Sequence, residues 1–201
     1  MLGSPIHLHG VEPALTARSE QLVRVLPRLN MMAAHEAFFL LRTCFAIPRL
    51  LYLLRTSPCS SSPGVARLDE VIKGALTTLC NLKLDAGFWA QASLPVRWGG
   101  VGERSVVVLA PSALISSMHV SGRIVQTILP AWARQALDPA LDETHTVWST
   151  LGGENPFIGP NSVIQRAWDD GVCAARAAGL LQLADAVDHT HLYCASLGLL
   201  A

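Results

Sequence analysis

The chain has 201 residues, of which 51% are hydrophobic and 15% are charged. This length fits one domain with a substantial core, or one domain with a smaller appendage. The charged fraction is below the usual share of about a quarter, so much of the chain must be buried. The formal net charge is zero. The total charge alone would therefore not attract an oppositely charged partner.

The charges are unevenly distributed along the chain. Residues 1–104 hold eleven Lys/Arg and seven Asp/Glu, whereas residues 105–201 hold four and eight. Thirteen of the fifteen cations are Arg, the side chain that makes forked contacts with phosphate groups. The basic first half therefore suits nucleic acid or an acidic protein surface. A surplus of this size is also common on an ordinary solvated surface.

The cysteines and the N-terminus bear on localisation. Five cysteines are widely spaced, with no Cys-x-x-Cys pair, which predicts reduced thiols inside a cell. The first residues have neither the basic nor the apolar region of a signal peptide. The apolar stretches at 37–55 and 105–122 are interrupted by Arg, Ser or Pro, so we interpret them as buried helices rather than membrane spans. We expect an intracellular protein, cytoplasmic or nuclear and not secreted, without a membrane partner.

The first half carries apolar residues at helical spacing. The pattern predicts a helix from about Pro13, which Pro27 should end or kink near residue 26. Residues 31–55 form a second helical region, broken at Pro48. A loop follows at residues 57–64, because Ser and Pro dominate its composition.

The clearest amphipathic pattern in the chain lies at residues 65–82. It predicts a helix whose start is marked by Ser62 and Pro63. A short helix is then predicted at residues 86–92, ended by the Leu94-Pro95 step because the residue before proline is pushed out of helical geometry.

Three glycines follow this step. Gly99, Gly100 and Gly102, together with Pro95, are predicted to form a structural turn. We expect positive backbone φ angles at Gly99 and Gly100. Ser105 can then cap the next helix.

The remainder of the chain is also predicted to be helical. Two helices are expected over about 106–136, with a break at Ser121-Gly122. A loop at 152–160 and helices at about 161–178 and 180–188 complete the chain. The fold class predicted is all-α: a helical bundle over 12–92, followed by a turn and a helical extension over 93–201. The segment 1–11 contains at most a short strand.

The glycine turn does not match the common nucleotide-binding motifs. A phosphate-binding loop needs Gly-Lys-Ser/Thr at its end, where this chain has Glu103-Arg104-Ser105. A dinucleotide fingerprint needs a preceding strand, and Pro95 occupies that place. We therefore expect a structural role for the turn.

No metal or cofactor site is predicted. The close histidine pairs, His7/His9 and His189/His191, lack the further ligands that a zinc site needs. The adjacent carboxylates Asp169-Asp170 are interpreted as a solvated helix start. Trp89 is expected in the core, whereas Trp98, next to Arg97, either packs in the core or stacks on bases.

Several segments together resemble one protein family. Leu2-Gly3-Ser4-Pro5-Ile6 resembles the Leu-Gly-x-x-Ile strand that ends a polymerase palm, near the primer grip. Arg49-Leu50-Leu51-Tyr52-Leu53-Leu54-Arg55 resembles a Tyr-containing thumb helix, and Leu94-Pro95-Val96-Arg97-Trp98-Gly99-Gly100-Val101-Gly102 resembles a Leu-Pro…Gly-Gly-Leu-Gly turn beyond it. Trp168-Asp169-Asp170 resembles a later segment. Over roughly residues 2–185, the chain is similar to the thumb and post-thumb region of reverse transcriptases from non-LTR (LINE-like) retrotransposons.

The departures from that family are equally informative. Its catalytic turn is (Phe/Tyr)-x-Asp-Asp, and with a further upstream Asp it holds the two metal ions of nucleotidyl transfer. Here Asp169-Asp170 follows Ala167-Trp168 and lies after the thumb-like region. The resemblance therefore implies a fragment that is not an enzyme on its own. It has no cofactor, since Mg²⁺ would belong to the missing palm, and Met1 would be an internal start. The resemblance also implies that residues 1–11 are a palm remnant, 12–92 a thumb and 93–201 a post-thumb extension.

A thumb holds the RNA/DNA template–primer duplex by its backbone, chiefly through positive side chains. The candidate contacts are Arg24, Arg28, Arg42, Arg49 and Arg97. A rival interpretation is a helical interaction module that docks on a palm domain or another partner, or self-associates through exposed apolar faces. A third is an orphan reading frame with no independent function. Salt-sensitive duplex binding would favour the first interpretation, and salt-insensitive self-association the second.

Overall fold

The computed structural model describes residue 5 and residues 7–156 and 165–183. All regular structure within these ranges is helical, which confirms the predicted all-α class. The short strand expected at residues 2–6 lies outside the described residues, except for Pro5. The α-helices are α1 (Val11–Leu29), α2 (Ala34–Leu40), α3 (Ile47–Thr56), α4 (Pro63–Cys80), α5 (Ala86–Ala92), α6 (Val106–Ile128), α7 (Ala131–Thr150) and α8 (Gln165–Leu183). Short 3-10 turns at Leu8–Gly10 and Val96–Trp98 and a π turn at Leu41–Phe45 complete the path.

The prolines explain where several helices begin and end. Pro48 lies in the first turn of α3, where its missing N–H costs nothing. The predicted end near residue 26 is slightly early, because α1 runs through Pro27 to Leu29. Only a short stretch of helix follows Pro27, and the Asn30 N–H still bonds the Leu26 carbonyl at 2.9 Å.

The predicted break at Ser121-Gly122 is wrong. Helix α6 continues through both residues to Ile128, and the chain turns at Pro130 instead. The Ser121 hydroxyl donates to the Ser117 carbonyl at 2.8 Å, so it is satisfied inside the helix. A helical glycine costs only about 1 kcal/mol relative to alanine, which is too little to end a long helix that is packed elsewhere.

Side-chain oxygens satisfy the N–H groups at several helix starts. The predicted start of α4 is confirmed, since Ser62 accepts from the Gly64 N–H at 3.4 Å and Glu12 of α1 accepts from the same N–H at 3.0 Å. Asp85 caps α5 through the Phe88 N–H at 2.8 Å. Because Glu12 is contributed by α1, this cap also ties α1 to α4.

Helix α6 lies at the centre of the fold. It packs on α3 and α4 on one side and on α7 and α8 on the other. Its residues Val106, Leu109, Ala110 and Ala113 join the main core, which otherwise consists of apolar residues from α1 to α5 and the connections between them. These four positions share one helix face by their spacing.

A second, smaller core lies against the other side of α6. It consists of Val108 and Ile115 of α6, Trp148 of α7, and Trp168 and Val172 of α8. The two indole rings are 5.4 Å apart between centroids, and Trp148 donates its N–H to the Trp168 carbonyl at 3.1 Å. This core fixes the first turns of α8 beside α6.

Residues 34–56 form the one apolar helical segment in the described chain that is long enough to cross a membrane. One third of its most apolar window is buried inside the fold. The helical path is also interrupted at Ala46, whose ψ angle is −112°. The core helices of soluble proteins pass the same length and composition test, so this segment does not establish a membrane partner.

Candidate nucleic-acid interface

The Leu94–Gly102 segment forms a compact turn held by its own backbone. The Gly102 N–H bonds the Leu94 carbonyl at 3.0 Å, and the Val101 N–H bonds the Ala92 carbonyl at 3.2 Å. Gly99 has a φ of 81° and Gly102 a φ of 79°, in the left-handed region that favours glycine. The turn therefore leads α5 into α6 with little freedom.

The expectation of a positive φ at Gly100 is wrong. Its φ is not in the left-handed region, and the residue is required for a different reason. A Cβ atom at Gly100 would lie 2.1 Å from the Leu94 carbonyl oxygen. The backbone folds back on itself there, so the constraint is steric contact rather than backbone conformation.

Four arginines line one open groove beside this turn. Arg42 is contributed by the π turn after α2, Arg97 and Arg104 by the segment leading to α6, and Arg166 by the first turn of α8. The groove has a volume of about 440 Å³, and its remaining walls are Pro95, Val96, Gly102 and Asp169. We call this feature the arginine groove. It joins three chain segments that are distant in sequence.

Two carboxylates of α8 hold three of these guanidinium groups. Arg104 donates to Asp169 at 2.7 Å, and this pair is largely buried. Asp170 pairs with Arg97 and, at 3.9 Å, with Arg166. The interpretation of Asp169-Asp170 as a solvated helix start is therefore wrong for Asp169, which is 7% exposed and lies inside α8. Its burial is compensated by the charged partner from the turn.

Arg42 is held differently from the other three. Its side chain donates to the Val101 carbonyl at 3.3 Å and lies against Gly102, where a Cβ would be 2.8 Å from the guanidinium carbon. The absence of a side chain at Gly102 thus allows the cation to rest on the turn. Arg42 is otherwise exposed along the groove.

Glu103 lies in the same turn but points into the protein. It is 1% exposed, and one of its carboxylate oxygens has no hydrogen-bond partner among the described residues. Burial raises the pKa of Glu103 to about 7, and the positive charge of Arg42 opposes part of this shift. Glu103 is therefore a carboxyl that changes charge near neutral pH, close to the arginine groove.

The candidate residues from the sequence do not form a single surface. Arg42 and Arg97 meet in the arginine groove. Arg49 lies on α3 with its guanidinium 4.8 Å from the Phe45 ring centroid. Arg24 and Arg28 are exposed along α1.

Sequence reasoning missed Arg104 and Arg166. The one local signal was that Arg104 directly follows the glycine turn. Trp89 is buried, as expected. Trp98 is partly buried in the 3-10 turn, and its indole N–H has no hydrogen-bond partner among the described residues.

Two of the described thiols, those of Cys59 and Cys173, are buried and poorly suited to nucleophilic chemistry. Burial raises the pKa of Cys59 to about 12 and also raises the pKa of Cys173. Within the described ranges, no group of three or more His, Cys, Asp or Glu side chains could hold a metal ion. His189 and His191 lie outside those ranges.

No protein-family model, curated protein or solved structure matches this chain.

Proposed function

We propose that the chain is a helical module that binds the phosphate backbone of an RNA–DNA duplex, with the arginine groove as its contact. The single observation that carries this proposal is the convergence of four guanidinium groups from three chain segments on one open groove. Guanidinium groups pair with phosphate oxygens through two parallel hydrogen bonds. Backbone contacts of this kind do not depend on base sequence.

The resemblance to the thumb region of LINE-like reverse transcriptases supports the choice of an RNA–DNA duplex. In that interpretation the chain is a retrotransposon-derived fragment without catalysis of its own, working in the cytoplasm or nucleus. One of the segments that carry the resemblance, Leu94–Gly102, is also the segment that supplies Arg97 to the groove.

Salt-dependent binding of an RNA–DNA hybrid tests the proposal. Fluorescence anisotropy with the whole chain should show affinity that falls steeply between about 50 and 200 mM salt, because phosphate contacts release counterions. Arg42→Gln and Arg166→Gln should each weaken binding and reduce the slope of log affinity against log salt by about 1. Both side chains are exposed, so circular dichroism should show an unchanged fold.

Arg24→Gln and Arg28→Gln provide matched controls, since they remove the same charge from α1, away from the groove. They should have much smaller effects on affinity. If these two variants lost more affinity than the groove variants, α1 would be the contact and the groove proposal would be wrong. Absence of salt-sensitive binding in the wild-type chain would reject the nucleic-acid function itself.

A specific observation favours the interaction module as a second candidate. Val120, Ile124 and Ile128 follow one another at four-residue spacing on α6 and are exposed, and Trp132 at the start of α7 is 73% exposed. Exposed apolar residues in such a row mark protein–protein contacts more often than isolated ones do. The partner would be a palm domain or a second copy of the chain.

Sedimentation velocity tests this second candidate. Self-association that is insensitive to salt and is abolished by Ile124→Glu would favour it. Phe88→Glu changes another exposed apolar residue, on α5, and is the control. A monomer at all concentrations would reject self-association, leaving only a heterologous partner.

A further inference from the structure

The charges around the arginine groove do not balance. Four guanidinium groups, those of Arg42, Arg97, Arg104 and Arg166, face two carboxylates on α8, so two positive charges are left over. Glu103 adds a buried negative charge behind Arg42 only as the pH rises through about 7. The groove thus has an excess of two positive charges while Glu103 is protonated and of one when Glu103 is ionised.

The cations in the groove also disturb one another. Burial lowers the pKa of Arg97, and the nearby positive charges of Arg166 and Arg104 also lower it, whereas Asp169 opposes part of this shift. The carboxylates of α8 thus offset only part of the repulsion among the arginines that line the groove. An anion that contacts more than one arginine would offset more of it.

The size of the groove suits a small phosphorylated group. Its volume of about 440 Å³ lies within the usual range for small-molecule sites, about 300 to 1,000 Å³. The groove is open to solvent along one side, so a longer chain attached to the anion can leave it. The flat guanidinium groups offer paired donors that match phosphate oxygens.

The charge of the anion distinguishes two classes of phosphate. An internal phosphodiester carries one negative charge, whereas a phosphomonoester carries about −1.5 to −2 near pH 7 and offers three terminal oxygens. The excess of two positive charges left by the four arginines and the two carboxylates of α8 matches the charge of the monoester. We propose that the arginine groove binds the terminal phosphomonoester of a nucleic-acid strand in preference to internal phosphodiesters. This inference rests on the proposed nucleic-acid function and specifies its ligand.

Two RNA–DNA hybrids that differ only at one 5′ end test the inference. One hybrid carries a 5′-phosphate and the other a 5′-hydroxyl, and both are followed by fluorescence anisotropy at pH 7 with a label on the opposite strand. The phosphorylated hybrid should bind about tenfold more tightly, the effect of one added charge-assisted contact. An excess of 5′-AMP, but not of adenosine, should displace it.

The variants show whether the preference resides in the groove. Arg42→Gln and Arg166→Gln should each bring the ratio of the two affinities close to one. Arg49→Gln, which removes an exposed arginine from α3, should keep the wild-type ratio. Circular dichroism and thermal melts should show that all three variants are folded.

Each alternative outcome has a distinct meaning. Equal affinity for the two hybrids overturns this inference and leaves the proposed function intact. A preference that survives both groove variants also overturns it, because the phosphate would then bind elsewhere. Binding of 5′-AMP in the groove without binding of either hybrid would overturn both the proposed nucleic-acid function and this inference, because the groove would then hold a free phosphomonoester only.

Discussion

Asp69 and Trp89 are joined by a buried hydrogen bond of 3.0 Å from the indole N–H to one carboxylate oxygen. The other oxygen of Asp69 accepts from the Val106 N–H at 2.6 Å, at the first residue of α6. One side chain of α4 thus holds α5 and the start of the central helix together. The carboxylate is also well placed for the positive end of the α6 dipole.

Replacing Asp69 should destabilise the fold. Asp69→Ala removes a helix cap, worth about 0.5 to 2 kcal/mol, and leaves the Trp89 N–H unsatisfied at a further cost of about 1 to 3 kcal/mol. We expect a loss of about 3 kcal/mol in the free energy of unfolding, measured by urea denaturation. Trp89→Phe, which removes only the indole bond and keeps an aromatic ring, should cost less.

Glu70→Ala is the matched control for Asp69→Ala. Glu70 is the next residue of α4, and its carboxylate is exposed. It should change the free energy of unfolding by no more than about 0.5 kcal/mol. Equal effects of the two substitutions would contradict a capping role for Asp69.

Gly100→Ala should also destabilise the protein. The new Cβ would lie 2.1 Å from the Leu94 carbonyl oxygen and 2.6 Å from the Gln91 carbonyl oxygen. Because the contacts are backbone atoms, the turn itself has to move, at a cost of about 1 to 3 kcal/mol for overpacking. A thermal melt should show the loss, and it should be the same with and without ATP.

Gly122→Ala is the control for this change. A Cβ at Gly122 would meet nothing within 4 Å apart from its chain neighbours and the backbone of its own helix, α6. Alanine there should stabilise the helix by about 0.5 to 1 kcal/mol. If ATP raised the wild-type melting temperature and Gly100→Ala abolished only that rise, the turn would be a ligand site rather than a structural one.

The fold was predictable where the sequence pattern is local. Helix α4 was predicted within two residues of its observed ends, because its apolar stripe and its Ser62-Pro63 start are both short-range signals. The sequence pattern mostly missed helix α7. Among the described apolar residues in the last two turns of α7, only Trp148 is deeply buried. A helix with so narrow an apolar stripe has little periodicity to detect.

The candidate site could be predicted only in part. Arg42 and Arg97 were proposed from their charge and from the resemblance to a thumb region, but Arg104 and Arg166 reach the groove through contacts across the fold. The Arg104–Asp169 bond joins residues 65 positions apart. The burial of Asp169 depends on that partner, so the pattern of neighbouring residues indicated a solvated carboxylate instead.

We expect no polymerase activity from this chain alone. The one Asp-Asp pair is preceded by Ala167-Trp168 rather than by the (Phe/Tyr)-x pattern of a reverse-transcriptase catalytic turn, and Asp169 and Asp170 are paired with arginines. Primer extension on an RNA template with Mg²⁺ or Mn²⁺ should give only the background of a protein-free reaction. Template-dependent extension by the purified chain would contradict this prediction.

The stability of the fold should depend on the ionisation of Glu103. The pKa of this carboxyl rises from 4.5 to about 7 on folding, because the charged form is buried. Below pH 4.5 the group is neutral in both states, and its stabilising contribution is fully present. Between pH 4.5 and about 7 the unfolded state is ionised while the folded state stays protonated, so the free energy of unfolding falls progressively, by about 3 kcal/mol in all, and then levels off.

Urea denaturation of wild type and Glu103→Gln from pH 4.5 to 8 isolates this contribution, since the other titrating groups are common to both proteins. As the pH rises, the free energy of unfolding of Glu103→Gln should increase relative to that of the wild type. Glu36→Gln changes an exposed position of α2, and its free energy of unfolding should follow that of the wild type at each pH. A wild-type profile parallel to that of Glu103→Gln would mean that the buried carboxylate is stabilised by Arg42 as well as it is by water.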